Sequence, residues 1–157
     1  MDAGSRTKLV QMLHETRVAA LGTLREGSPL VSQVLFVAAP DLSEFYLHVS
    51  GLAYHTQDMV CDPRVSLLVA ETDTGDRDPQ TLARVSLVGE AVRLDPASPA
   101  HAAARAQYLH RFPESRITFS LGDFGLFAVR PAWARYVAGF GKTYNLRPED
   151  ITAAGRT

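Results

Sequence analysis

The stretch Leu47–Val69, LHVSGLAYHTQDMVCDPRVSLLV, sets the tightest limit on what this chain can fold into. It completes an alternating run from Glu44, in which Phe45, Leu47 and Val49 share one face and Tyr46 and His48 the other, the period of a strand. Ala53 to Cys61 then reads as a short helix. Asp62-Pro63 ends it, because the residue before a proline is pushed out of helical geometry. Arg64 to Ala70 resumes as a strand. The helix start collects unpaired backbone N–H groups and the positive end of a dipole, with Ser50, His55 and Thr56 around it. That setting suits a phosphate.

The flanking sequence extends the pattern. Ser5 to Thr16 predicts a helix, with Ser5 as its cap and Leu9, Met12 and Leu13 on one face. Arg17–Leu24 and Leu30–Val37 are strands on either side of the turn cluster Glu26-Gly27-Ser28-Pro29, hence a hairpin. Glu71 to Gln80 lacks periodicity and reads as an exposed loop. Leu82 to Leu94 is a long strand with Gly89 as a bend or bulge. Ser98-Pro99 opens a helix that runs to Arg111. Asp123–Val129 and Ala132–Gly139 read as two strands separated by Arg130-Pro131, and the tail from Lys142 as a short helix or disorder. About seven strands succeed one another with turns too short for parallel crossovers. The expectation is a mainly β protein, an antiparallel barrel with peripheral helices, in one domain over residues 1–157.

Composition removes several function classes. A net charge of −1, with arginines spread along the chain, argues against a nucleic-acid partner. The single cysteine, Cys61, excludes an intrachain disulfide and a cysteine-based zinc site, and reads as a small buried hydrophobe. The N-terminus MDAGSRTKLV has no apolar signal core, and no run approaches the ~18–20 apolar residues of a bilayer span. No membrane partner and a cytoplasmic location are therefore expected. The G-x-S-x-G elbow, calcium-loop spacing and dinucleotide fingerprint are all missing.

Three strings carry a family resemblance: LGTLREGSPLVSQVLFV, FYLHVSGLAYHTQDMVCDPRVSLLV, and RVSLVGEAVRL followed much later by LFAVRPAWARYVAGFGK. In that order, from Arg17 to about Tyr144, they resemble the flavin-binding split barrel of the pyridoxamine-5′-phosphate oxidase superfamily. The nearest branch is its haem-utilisation-type members. The resemblance implies a six-stranded antiparallel split barrel that forms a homodimer, with FMN in two clefts at the dimer interface. It also implies a flavin-dependent oxidoreductase that moves electrons or hydride through flavin N5 between a nicotinamide donor and a small-molecule substrate. Position by position, Ser32, Gln33, Val34 and Leu35 match the strand whose backbone lies along the isoalloxazine ring. Ser50, Tyr54, His55 and Thr56 fall around the phosphate. Arg84 falls where a polar side chain reaches the flavin, and Lys142 lies in the GFGKTY string that either closes over the flavin or forms a plain turn.

Two departures qualify the resemblance. Tyr54 and His55 stand where the oxidases carry an Arg-Lys pair, and histidine is cationic only part of the time near neutral pH. The Arg-x-His segment that binds pyridoxamine phosphate is not found after Gly139, so that substrate is not expected. A deazaflavin or haem remain as alternative cofactors, as does a non-enzymatic flavin-binding module. No histidine follows His110, so haem iron would have to be held by His14, His48, His55, His101 or His110. His48 also reads as a half-buried structural histidine, and Trp133 as a core or dimer-interface residue.

Overall fold

The structure, a computed structural model, describes residues 1–156. Strands β1 (Val18–Arg25) and β2 (Ser28–Leu35) form the expected hairpin. Its two turn residues, Glu26 and Gly27, both take positive φ (51° and 80°), as a two-residue hairpin turn requires. After Phe36 come β3 (Val37–Ala38), β4 (Phe45–Ser50), β5 (Arg64–Ala70), β6 (Arg84–Arg93), β7 (Phe124–Gly139) and β8 (Lys142–Leu146). All pairings are antiparallel, in the order β2-β1-β5-β6-β7-β4-β3, with β8 on β7. The two ends of that path, β2 and β3, are one run of chain broken only at Phe36. Counted as one strand they close a circuit of six, with β8 as an added edge. This is the mainly β antiparallel split barrel that the sequence predicts.

Among the described residues five α-helices surround it: α1 (Ala3–Glu15), α2 (Tyr54–Cys61), α3 (Pro99–Arg111), α4 (Arg116–Phe119) and α5 (Pro148–Gly155). The main core fills the barrel with Leu21, Val34, Leu47, Leu67, Leu87, Phe127 and Tyr136, joined by Leu9, Met12 and Leu13 of α1 and Ile151 of α5. A second, smaller core packs Ala104 and Tyr108 of α3 and Phe112 onto Tyr46, Leu126 and Ala128. Strands β4 and β7 are thus covered on both faces. That is why Tyr46 is buried although it alternates with the barrel-facing residues.

Several expectations are corrected. Asp2, not Ser5, caps α1: its carboxylate accepts from the Ser5 N–H at 2.9 Å, and Ser5 itself is buried. Residues 124–139 form one strand of 16 residues rather than two. Pro131 sits opposite Gly89 where the β6/β7 register shifts, so the missing N–H falls at a bulge and the strand continues past it. A Cβ on Gly89 would stand 2.0 Å from the Arg130 carbonyl oxygen, so only glycine fits there. Cys61 is exposed, because α2 turns Thr56, Asp58 and Met59 toward the barrel. Of the two readings of Trp133, core and dimer interface, its 49 % exposure removes the core. The tail ends in a short helix, α5, as one of its two readings has it, and adds the strand β8 that was not expected; a Cβ on Gly155 would meet the Asp41 backbone at 2.6 Å. Among the described residues no helix is long and apolar enough to cross a membrane.

Candidate functional site

Helix α2 is keyed to β1 by a buried charge. Asp58, 4 % exposed, accepts from Thr23 Oγ1 and from Arg25 Nη1, both at 2.9 Å. The Arg25 guanidinium lies over the Tyr54 ring, 3.7 Å from its centroid. Tyr54 thus holds a cation against its face at the position where the resemblance led one to expect a cation. The N-cap, Ala53, contributes no side-chain bond. The Leu52 and Ala53 N–H groups go to Ser50, and those of Thr56 and Gln57 to the Ala53 carbonyl. The N–H groups of Tyr54 and His55 have no partner among the described residues.

The other predicted residues around α2 are engaged to different degrees. Ser50 Oγ donates to Asp123 at 2.7 Å. The Thr56 hydroxyl is buried without a partner. Burial lowers the pKa of His55, with the Asp58 charge opposing it, so the ring gives little positive charge at neutral pH. On β2, Ser32 and Val34 turn to one face and Gln33 and Leu35 to the other; Val34 is in the core and Leu35 is exposed. Arg84 donates to the carbonyls of Leu82 (3.0 Å) and Gln80 (3.4 Å), and Lys142 lies 3.4 Å from the Asp2 carboxylate. The β5/β6 register pairs Arg84 with Ala70 and Glu90 with Arg64. Arg84, and Lys142 near it on β8, therefore sit a strand length from α2, about 20 Å at ~3.3 Å per residue. Within one chain Arg84 and Lys142 thus lie apart from Ser50, Tyr54, His55 and Thr56, while Ser32, Gln33, Val34 and Leu35 run along β2 beside residues 18–21 of β1.

A separate concavity of 610 Å³ opens between α1 and α3. Leu13, Phe36 and Ala106 give it apolar walls, and His14, His110 and Arg111 stand in it. The volume is that of a site for a cofactor-sized ligand, about 300–1,000 Å³. Burial lowers the pKa of His14, the Arg111 charge adds to that effect, and a contact with the Pro40 carbonyl opposes it. Burial thus favours the neutral imidazole of His14, the form in which a ring nitrogen keeps a lone pair for a metal. Two further hollows of similar size flank α1, at 630 and 700 Å³, and neither contains a histidine. The sequence named His14 and His110 among five histidines; it offered no signal that α1 and α3 bring these two to one cavity. Among the described residues no group of three or more His, Cys, Asp or Glu forms a metal site.

A six-stranded split barrel with an apolar, histidine-bearing cavity under peripheral helices is the architecture of the split-barrel class that the sequence resembles. A family model identifies it further. The chain belongs to the CREG beta-barrel family, which matches residues 7–152. The chloroplastic non-canonical heme oxygenase HOZ of Arabidopsis thaliana is 35 % identical over 119 residues, 76 % of this chain and 35 % of that protein. The heme oxygenase HutZ of Vibrio cholerae is 28 % identical over 148 residues, 92 % of this chain and 82 % of that protein. A solved structure of a heme binding protein from Mycobacterium smegmatis superposes with a TM-score of 0.86 at 28 % identity, covering 98 % of this chain and 62 % of that one. The chain thus spans about a third of HOZ and less than two thirds of the Mycobacterium smegmatis protein. These relatives agree with the haem-utilisation-type branch of the split barrels.

Proposed function

We propose that this protein binds haem in the cavity between α1 and α3, with His14 as the iron ligand and His110 as the second candidate. The observation that carries the reading is a half-buried His14, its neutral form favoured by burial, in a 610 Å³ apolar cavity. Leu13, Phe36 and Ala106 would exclude water from the macrocycle, and Arg111 would place positive charge near an anionic edge. Bound haem would supply redox-active iron; the protein's part is to orient it and to set its polarity. The names of HOZ, HutZ and the Mycobacterium smegmatis protein support haem over the FMN first implied by the resemblance.

The test is a hemin titration of the full chain. A saturable Soret band at one haem per chain is expected, lost or strongly weakened in His14→Ala, changed in position in His110→Ala, and unaltered in His55→Ala. A band that is indifferent to His14→Ala overturns the assignment. A flavin is the second reading, favoured by the two unpartnered N–H groups at the start of α2. It predicts quenching of FMN fluorescence, weakened by His55→Ala and untouched by His14→Ala.

Homodimerisation is supported by the outer sheet face. Val31, Gly22, Ser66, Val88 and Trp133 lie side by side across β2, β1, β5, β6 and β7. Val18, Leu35 and Leu68, all exposed, extend the same apolar surface. A two-fold interface there would bury it.

A further inference from the structure

We propose that the small cavity where β4, β6 and β7 meet α3 and α4 is an oxyanion site, taking inorganic phosphate or the phosphate of a small monoester. It is independent of the haem reading and shares no residue with the α1/α3 cavity. His48, Arg93, His101 and Arg105 line it together with Phe119 and Gly125, and no carboxylate does. The nearest acids in sequence are turned elsewhere: Asp95 accepts from the Ala97 N–H at 2.9 Å, and Asp123 from Ser50 Oγ at 2.7 Å. Among the described residues neither Arg93 nor Arg105 has an acidic partner.

The side chains are placed by packing. The Arg93 guanidinium lies across Gly125, where a Cβ would stand 3.3 Å from its Nε, so the glycine makes room for it. Arg105 holds its guanidinium carbon 5.1 Å from the Phe119 ring centroid. Phe119 in turn stacks on His48, 3.6 Å between centroids and 8° from parallel. Thr118 Oγ1 is 3.3 Å from His48 Nδ1, which fixes the ring. Two guanidiniums and two imidazoles thus line the space from three elements, with no carboxylate among them. Burial keeps His48 uncharged at neutral pH, so the positive charge comes from Arg93 and Arg105, both on exposed residues, and an anion held between the two would be attracted to each. Guanidinium forks match tetrahedral oxyanions through paired N–H donors.

Size selects the ligand. The cavity holds 160 Å³, below the ~300 Å³ of the smallest cofactor-sized sites and many times the ~10–15 Å³ that one water requires. A tetrapyrrole or an isoalloxazine does not fit; a phosphate does.

The test titrates the full chain with inorganic phosphate at constant ionic strength, following the ring signals of His48 and His101 by NMR. Saturable shifts are expected, with a Kd of about 1 mM or tighter, and Arg93→Gln or Arg105→Gln should weaken binding about tenfold or more. Arg64→Gln, whose parent side chain pairs with Asp62 outside the cavity, should leave it unchanged. Should Arg105→Gln lose the fold through its Phe119 contact, Arg93→Gln alone decides. A parallel titration with glycerol phosphate separates the sources: tighter binding assigns a monoester, weaker binding the free ion. Shifts that stay linear in phosphate, that chloride reproduces, or that Arg93→Gln leaves unaltered overturn the proposal.

Discussion

Asp58→Ala probes the contact that fixes α2 on the barrel. The substitution leaves the Thr23 hydroxyl, on a residue 3 % exposed, without its partner at 2.9 Å. A buried polar group stripped of its hydrogen bond costs about 1–3 kcal/mol. It also leaves Arg25 without its acid. Because the Arg25 side chain is 34 % exposed, water takes over much of that interaction, and the loss is held to ~1 kcal/mol, the range of a solvent-screened pair. Together these amount to about 3 kcal/mol. At an unfolding entropy of ~2.1 cal/mol/K per residue, a chain of this length loses roughly 3 °C of Tm per kcal/mol, so a fall of about 9 °C is expected. Calorimetry on parent, Asp58→Ala, Thr23→Val and the double variant measures it. The double variant should cost less than the sum of the singles, by about 1 kcal/mol, since removing both partners leaves nothing unpaired. A fall below ~3 °C, or strict additivity, would show that Asp58 does not hold the helix and would refute the reasoning.

Two further predictions concern the rest of the fold. Burial, reinforced by the charges of His101 and Arg105, pushes the His48 pKa down from 6.5 to about 4, and burial lowers His14 in the same direction. Between those values the unfolded chain binds a proton that the folded chain refuses. Stability should therefore be level above pH 6.5 and fall as pH drops toward 4, and His48→Gln should flatten that slope in a Tm-against-pH series; an unchanged slope would count against it. Gly89→Ala should cost ~3 kcal/mol or more in urea unfolding, because its methyl would meet the Arg130 carbonyl at 2.0 Å; a loss under ~1 kcal/mol would mean that the bulge can shift.

The parts of the fold that were readable are those where burial follows a simple period. The β1/β2 hairpin, β5 and the short α2 each show it, and proline or glycine marks their ends. Reading failed where tertiary contacts override local signals. Arg130-Pro131 looks like a break, yet Gly89 on the neighbouring strand absorbs the irregularity and β7 runs through. The tail after Lys142 is polar and aperiodic. It orders because Tyr144 hydrogen-bonds Asp2 at 2.7 Å and Ile151 enters the barrel core, partners more than a hundred residues away in sequence for the first of these. Cys61 followed an average burial preference that its face of α2 does not obey, and the same preference accounts for the core half of the Trp133 reading.

The candidate site was readable only as an inventory. Five histidines in the sequence are equivalent until packing distinguishes them. His48 is wedged among Phe119, Tyr108 and Phe124, and His101 lines the same small cavity. Neither leaves room for a macrocycle. His55 sits on α2 beside the buried Asp58, on an element whose position depends on that charge. His14 and His110 remain, and they share a large apolar cavity because α1 supplies Leu13 to the barrel core while α3 covers the outside of β4 and β7. The cavity exists where those two layers part. Each helix is anchored by its own core, so filling the space between them with a rigid, apolar ligand asks neither helix to move. That separation explains why a barrel with a single continuous circuit of strands can keep a cofactor-sized opening without losing packing.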